Sequence, residues 1–262
     1  MPTVRHLGQH STLPTHYDAS LLEAIPRLST LKEVGYDVWH AYEVSALCDD
    51  GLPVQTIAKL CYTRQSEFLV ESKSLKLYLY SLANERLGRT PPEVLQRLEQ
   101  TIVADLSALL HTQVHCNLHT HYNLTADPIA QYHLLENCEE SLPLQQGELR
   151  IASQLLASLC PVTGQPDWGT LVVHLVGEHT PTRSELLQLL LAKRWEHGFH
   201  EEICDELYTH LRDQYDPSDL MLTCLYTRRG GIDICPIRAT STDFIPSHFI
   251  DVGLLSQPSF RR

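Results

Sequence analysis

The sequence predicts an α+β protein: two successive units of antiparallel sheet, each with helices on one face. Three observations lead there. Signals run strand, strand, helix, helix, strand, strand, and the same order returns in compressed form over the C-terminal half. Each half opens a helix with a capping-box pattern, Thr90-Pro91-Pro92-Glu93 and then Thr182-Arg183-Ser184-Glu185. An apolar stripe follows each box, and an antiparallel sheet with helices on one face buries both stripes. The halves share little residue identity, so the pattern repeats rather than the sequence.

Taken in order, residues 1–30 read as an irregular lead-in, with Pro2, Pro14 and Pro26 discouraging long elements. Asp37 to Ala46 and Pro53 to Thr63 read as strands joined by Cys48-Asp49-Asp50-Gly51-Leu52, where Asp-Gly between apolar runs signals a hairpin. Val70 to Leu82 is apolar at helical spacing, with Ser72 as its predicted N-cap. The helix opened at Thr90 carries Val94, Leu95, Leu98, Ile102, Leu106 and Leu109 on one side. Gln113 to Leu118 reads as a strand. Residues 123–147 hold few periodic apolar residues and form the predicted linker between a first unit, 1–122, and a second, 148–262.

In the second unit Glu148 to Leu159 is compatible with a helix or a buried strand. Trp168 to Val176 reads as a strand. The box at Thr182 opens a helix through Leu186, Leu187, Leu190 and Leu191. Phe199, Ile203, Leu207 and Leu211 mark another, stopped by Asp216-Pro217. Asp219 to Thr227 is strand-like, and Gly230-Gly231 turns into Ile232-Asp233-Ile234.

Composition narrows the function. With 43% hydrophobic and 20% charged residues the chain is an ordinary globular one, and its net charge of -12 argues against nucleic acid or anionic membrane as partner. The first residues lack an apolar signal-peptide core, and no run reaches transmembrane length. The eight cysteines form no C-x-x-C pair, which suits reduced thiols in the cytoplasm. Neither a Rossmann nor a P-loop glycine pattern is present.

Four stretches carry residues suited to chemistry. Cys160-Pro161-Val162-Thr163-Gly164-Gln165-Pro166-Asp167-Trp168 sets a thiol and a carboxylate in a stiff loop, as nucleophile with proton partner or as a plain rigid turn. A thiol attacks as the thiolate, yet no Lys or Arg lies between Arg150 and Arg183, so the local sequence offers no cation. Glu71-Ser72-Lys73-Ser74-Leu75-Lys76-Leu77-Tyr78 puts Lys73 and Lys76 on one helix face, fit for a phosphate or simply solvated.

Phe199-His200-Glu201-Glu202 pairs a neutral-pH proton carrier with a carboxylate able to accept two N–H bonds from a guanine-like edge; first-turn acids on a helix dipole fit equally. Tyr226-Thr227-Arg228-Arg229-Gly230-Gly231 is an arginine-paired turn, fit for phosphate or a polar hairpin tip. His111, His115, Cys116, His119 and His121 crowd one segment but lack a second ligand pair at zinc spacing.

Together these stretches resemble one family, the NADPH-dependent 7-cyano-7-deazaguanine reductases of queuosine biosynthesis in their long two-module form. The resemblance rests on the octapeptide from Glu71 to Tyr78, the loop from Cys160 to Trp168, Phe199-His200-Glu201, Tyr226 to Gly231, and Tyr17-Asp18-Ala19-Ser20-Leu21-Leu22. It implies tandem tunnelling-fold modules, a strand before Cys160, assembly as homodimers and no catalytic metal. Cys160 would attack the nitrile carbon to give a thioimide, Asp167 would manage the proton, and His200 would assist proton delivery. Phe199 would lid the site. Glu71 and Glu201 would read the deazaguanine with help from Ser72. Lys73, Lys76, Arg228 and Arg229 are candidates for the phosphates of NADPH, two of which the four-electron reduction consumes. With Glu71 in the first unit and Cys160 in the second, the pocket is expected between them. The alternative is a zinc-dependent cyclohydrolase-like purine or pterin enzyme on the same fold.

Overall fold

The computed structural model describes residues 5, 7, 8, 13–124 and 127–257, so parts of the lead-in and linker regions lie outside the described residues. In chain order the strands and helices are β1 (Ala24–Pro26), β2 (Val34–Cys48), β3 (Pro53–Thr63), β4 (Phe68–Val70), α1 (Ser72–Ser81), β5 (Arg86–Gly88), α2 (Pro91–Leu110) and β6 (Val114–His119). The second half continues with β7 (His133–Leu134), β8 (Leu144–Gln145), β9 (Glu148–Leu159), β10 (Pro166–Val176), α3 (Arg183–Lys193), α4 (His200–Tyr215), β11 (Asp219–Tyr226), β12 (Ile232–Ala239) and α5 (Ser247–Ile250).

One sheet runs through both halves in the order β6-β3-β2-β12-β11-β10-β9-β7, with β5 alongside β2 and β8 alongside β9. Its long strands pair antiparallel, which confirms the α+β class. The predicted order of the first half needs one change: a single strand, β6, follows α2. The other side of β2 is filled by β12 from the far end of the chain, from Ala41 opposite Ile232 to Val34 opposite Ala239.

Alternation along the strands explains the layers. Trp39, Leu60 and Ile234 face α1 and α2 with Leu75, Leu98 and Ile102. The second half behaves likewise: Val173, Leu175 and Leu222 face α3 and α4 with Leu186 and Leu207. The intervening residues Val38, Val172, Met221 and Ile237 point to the opposite face. That face is covered by Ile129, Tyr132, Ile245 and Phe249, so the 123–147 segment is packed on the sheet rather than a loose connection. Its apolar residues lack a period because they fill gaps in an irregular cover.

Three local readings are corrected. The N-cap of α1 is Glu71 rather than Ser72, because a longer side chain still reaches the helix N–H groups when the strand β4 runs up to Val70. Thr90 caps α2 without a side-chain bond, and Glu93 reaches back to the Arg89 N–H at 2.8 Å instead. Part of the lead-in is regular: β1 pairs with β4, Ile25 opposite Leu69. Glu148–Leu159 resolves as strand, and the Thr182 box forms as predicted. Among the described residues no helix is long and apolar enough to cross a membrane.

Candidate active site

A cavity of about 470 Å³ opens where β11 and β12 part. Their ladder runs only from Met221 opposite Ala239 to Thr223 opposite Ile237, stopping one residue short of Pro236. Proline has no N–H to donate. Beyond it Tyr226, Ile232 and Ile234 become walls of the cavity.

A bulge aims Cys160 into this space. Gly169 lies opposite Leu156 and Leu171 opposite Ser153, so β9 carries one extra residue between them. The extra residue switches the parity of β9, turning Leu156 and Ser158 to the helix side. Ser158 Oγ there lies 3.4 Å from the Tyr226 hydroxyl. Cys160, two residues on and directly after the strand's last residue, is 9% exposed on the cavity wall.

The loop after it is closed by its own backbone. Cys160 N–H donates to Gln165 O at 2.9 Å, Gly164 N–H donates to Cys160 O at 3.0 Å, and Thr163 N–H points at Cys160 Sγ at 3.5 Å. Gly164 takes φ of 65°, the left-handed region that glycine enters freely. The returning strand sets Asp167 opposite Ser158, so thiol and carboxylate line one cavity from the two arms of a hairpin.

Asp167 is not alone with Cys160. Its Oδ1 accepts from Arg229 Nη1 at 2.7 Å, and its Oδ2 lies 3.4 Å from His200 Nε2. Arg229 Nη2 also donates to Gln165 Oε1. The cation missing from the local sequence therefore comes from the turn between β11 and β12. His200 begins α4, its ring 3.9 Å from that of Tyr226. Phe199 is the N-cap residue and lines the cavity beside it.

Glu201 is 3% exposed, and burial, reinforced by the nearby Asp37 carboxylate, pushes its carboxyl up to about 8. It lines the cavity with Ser72, Lys73 and Lys76, so both halves of the chain supply walls. Glu71 is placed differently. Its two oxygens accept from the Lys73 N–H at 2.6 Å and the Ser74 N–H at 2.7 Å, and it is 1% exposed. Burial raises its carboxyl, partly offset by those N–H donors. Val70 and Ser72 on either side of it reach the cavity wall.

Four cations gather at the opening: Lys73, Lys76, Arg228 and Arg229. Burial and then the charges of Arg229 and Lys73 push the Lys76 ammonium down. Cations that disfavour one another in this way are stabilised by an anion, so the residues fit the phosphates of a nucleotide. Arg228 lies over the Tyr42 ring, 4.7 Å from its centroid.

The histidine-rich segment does not converge. His111 meets Glu67 and His119 meets the Val252 carbonyl. Among the described residues the one trio with metal-ligand atoms close together is His40, Asp233 and Cys235. Its centre is a carboxylate already bonded: Asp233 accepts from the Tyr42 hydroxyl at 2.7 Å and Cys235 Sγ at 3.4 Å, and His40 Nδ1 lies 2.7 Å from it. Sequence reading missed the Arg229–Asp167 pair and Asp37, whose only signal was a charged residue at the head of a strand-like run.

Two family models match the chain. The one described as nitrile reductase, 7-cyano-7-deazaguanine-reductase N-term, matches residues 13–118, and the one described as QueF-like protein matches residues 166–243. A protein of Psychrobacter cryohalolentis named NADPH-dependent 7-cyano-7-deazaguanine reductase is 33% identical, the match covering 92% of this chain and 95% of that one. A protein of the same name from Rickettsia canadensis is 34% identical with the same coverage. Among solved structures, the apo archaeosine synthase QueF-Like matches with a TM-score of 0.35 and 15% identity, over 39% of this chain and 100% of that chain.

Proposed function

The chain belongs to the NADPH-dependent 7-cyano-7-deazaguanine reductase family, and from that premise we propose that it reduces the nitrile of 7-cyano-7-deazaguanine to an aminomethyl group, in queuosine biosynthesis. The observation that carries this reading is one cavity holding Cys160, Asp167 and His200 together with Glu201, Lys73 and Lys76.

In the first step Cys160 Sγ adds to the nitrile carbon. The S–C bond forms as one C–N π bond breaks, and the thiol proton passes through Asp167 to the nitrile nitrogen, giving the thioimide. NADPH supplies hydride, once to the thioimide and once to the imine that follows it. His200, 3.4 Å from Asp167, delivers protons to the nitrogen during these reductions. Loss of the Cys160 thiolate between them returns the free nucleophile. Phe199 keeps water from the imine, which hydrolyses readily.

Glu201 reads the ring N–H and exocyclic amine of the base. Glu71 and Ser72 take part from the opposite wall; Glu71 Oε2 keeps a lone pair beyond the one its helix N–H uses, while Oε1 also faces the Ser72 hydroxyl at 3.4 Å. Lys73, Lys76 and Arg228 hold the cofactor phosphates. The units 1–122 and 148–262, joined by 123–147, face each other across this pocket. The enzyme works as a cytoplasmic homodimer on a small molecule, without nucleic acid or membrane.

The test is intact mass after mixing the protein with 7-cyano-7-deazaguanine and no NADPH. An adduct of substrate mass is expected, and Cys160→Ala abolishes it. Bound substrate with no adduct would end the covalent reading. Loss of NADPH absorbance then counts the cofactor consumed, two per nitrile.

A further inference from the structure

We propose that Arg229 is the positioning residue of the nucleophile pair: it holds Asp167 beside Cys160 and supplies the positive charge their loop lacks, rather than binding cofactor phosphate. Adjacent residues of an extended chain point to opposite sides, so the two arginines of the turn are not interchangeable. Arg228 lies over Tyr42, and Arg229 turns toward the hairpin of β9 and β10.

There its guanidinium binds two side chains of the Cys160 loop, Asp167 through Nη1 and Gln165 through Nη2. The turn is pinned to β10 at the same place, since Thr227 N–H donates to Trp168 O at 2.8 Å, and it closes on the start of β12, where Arg229 N–H donates to Ile232 O at 2.8 Å. Gly230 and Gly231, with φ of 56° and 79°, let the chain reverse directly after Arg229. A side chain at Gly230 would place its Cβ 2.5 Å from Lys76 Nζ, so the reversal also fits closely over the lysine.

The electrostatic consequence follows from the charges present. An uncompensated Asp167 carboxylate next to a thiol disfavours the thiolate. Arg229 offsets that charge, and its planar fork fixes which way the carboxylate points. Besides Arg229, His200 is the ionic partner of Asp167 among the described residues, and His200 is charged only when protonated.

The proposal rests on the function above only in taking Cys160 as the nucleophile, so its test includes a readout that needs neither substrate nor cofactor. Iodoacetamide alkylation of Cys160 at neutral pH is followed on the full chain by the mass of the Cys160 peptide. In parallel, kcat and the NADPH KM are measured for Arg229→Gln, Arg229→Lys and Arg228→Gln. Arg229→Gln is expected to slow alkylation and kcat about tenfold while the KM changes by less than about threefold. Arg229→Lys recovers part of the lost alkylation rate because it keeps the charge. Arg228→Gln shows the reverse split, a KM raised about tenfold with alkylation unchanged.

Wild-type alkylation in Arg229→Gln, or an effect confined to the KM, overturns the proposal. Arg229 is 47% exposed, so the fold is expected to survive its loss; Arg229→Met supplies the same readouts if the glutamine variant is poorly folded. A wild-type protein that forms no nitrile adduct, yet loses alkylation on Arg229→Gln, would remove the proposed function and leave this role standing. The opposite result would remove this role alone.

Discussion

Arg238 Nη1 stands 3.0 Å from Asp37 Oδ1 across the pairing of β12 with β2, both side chains fully buried. Asp37 also binds Arg27 at 2.6 Å. Asp205 on α4 binds Arg64 at 2.9 Å and Arg238 Nε. The network joins the strands of the two halves to the helix that carries His200 and Glu201. Arg238 Nη2 lies 3.5 Å from the Glu201 carbonyl oxygen, so the network reaches the first turn of that helix.

Removing one member leaves buried charge without its partner, which costs more than an intact pair contributes. Arg238→Met is therefore expected to lower stability by about 3 to 5 kcal/mol, as both Asp37 and Asp205 lose a donor. Urea unfolding of the variant against the wild type measures it. A loss below about 1 kcal/mol would show that neighbouring arginines take over.

Glu201 gives stability a pH dependence whose sign can be worked out. Its carboxyl is pushed up to about 8 in the native state, from an ordinary value of 4.5. The native protein thus holds a proton that the unfolded chain releases between those values. This contribution is fully present below 4.5 and is lost as pH rises through about 8. The slope is at most about 1.4 kcal/mol per pH unit. Glu201→Gln does not titrate, so the stability difference between variant and wild type should drift across this window. Thermal midpoints at successive pH values check it, and a constant difference refutes it.

The helices α2, α3 and α4 and the hairpin of β2–β3 were legible because their signals are local: caps, stripes and turn residues a few positions apart; the spacing along Glu148–Leu159 fitted helix and strand alike, so β9 was not. The Cys160–Asp167 loop was legible for the same reason. The Arg229–Asp167 pair spans 62 positions and the β12–β2 pairing about 200, and no local pattern encodes either. The bulge that turns Cys160 inward was also hidden, since an extra residue in β9 leaves no mark until its partner strand is known. Sequence reading likewise took Ser72 for the cap of α1, because serine is the commoner cap, while Glu71 sits one place earlier with its carboxylate already in reach.

That cap leads to a third expectation. Glu71→Ala leaves the Lys73 and Ser74 N–H groups without their acceptor, and Ser74 is wholly buried. A lost cap costs about 0.5 to 2 kcal/mol, toward the upper end where the donors cannot reach water. The first turn of α1 carries Ser72 and Lys73 into the cavity, so the KM for NADPH should rise as well. Thermal unfolding and steady-state kinetics on the same preparation separate the two effects. An alanine variant that is destabilised with an unchanged KM would show that the cap of α1 does not position the cofactor.

Substrate affinity should also follow the Glu201 proton. The ring N–H and exocyclic amine of the base both donate, and a protonated carboxyl opposes one of them with its own hydrogen. Binding then requires the proton that the buried carboxyl holds up to about 8 to leave. The Kd for 7-cyano-7-deazaguanine in Cys160→Ala, where no adduct forms, should weaken by up to about tenfold per unit as pH falls from about 8 to about 6. Glu201→Gln in that background should bind more weakly and with a flat profile, because its amide keeps one acceptor and cannot ionise. Calorimetry in two buffers of different ionisation enthalpy counts the proton released near pH 7. Binding that releases no proton and does not vary with pH would mean that the base docks away from Glu201.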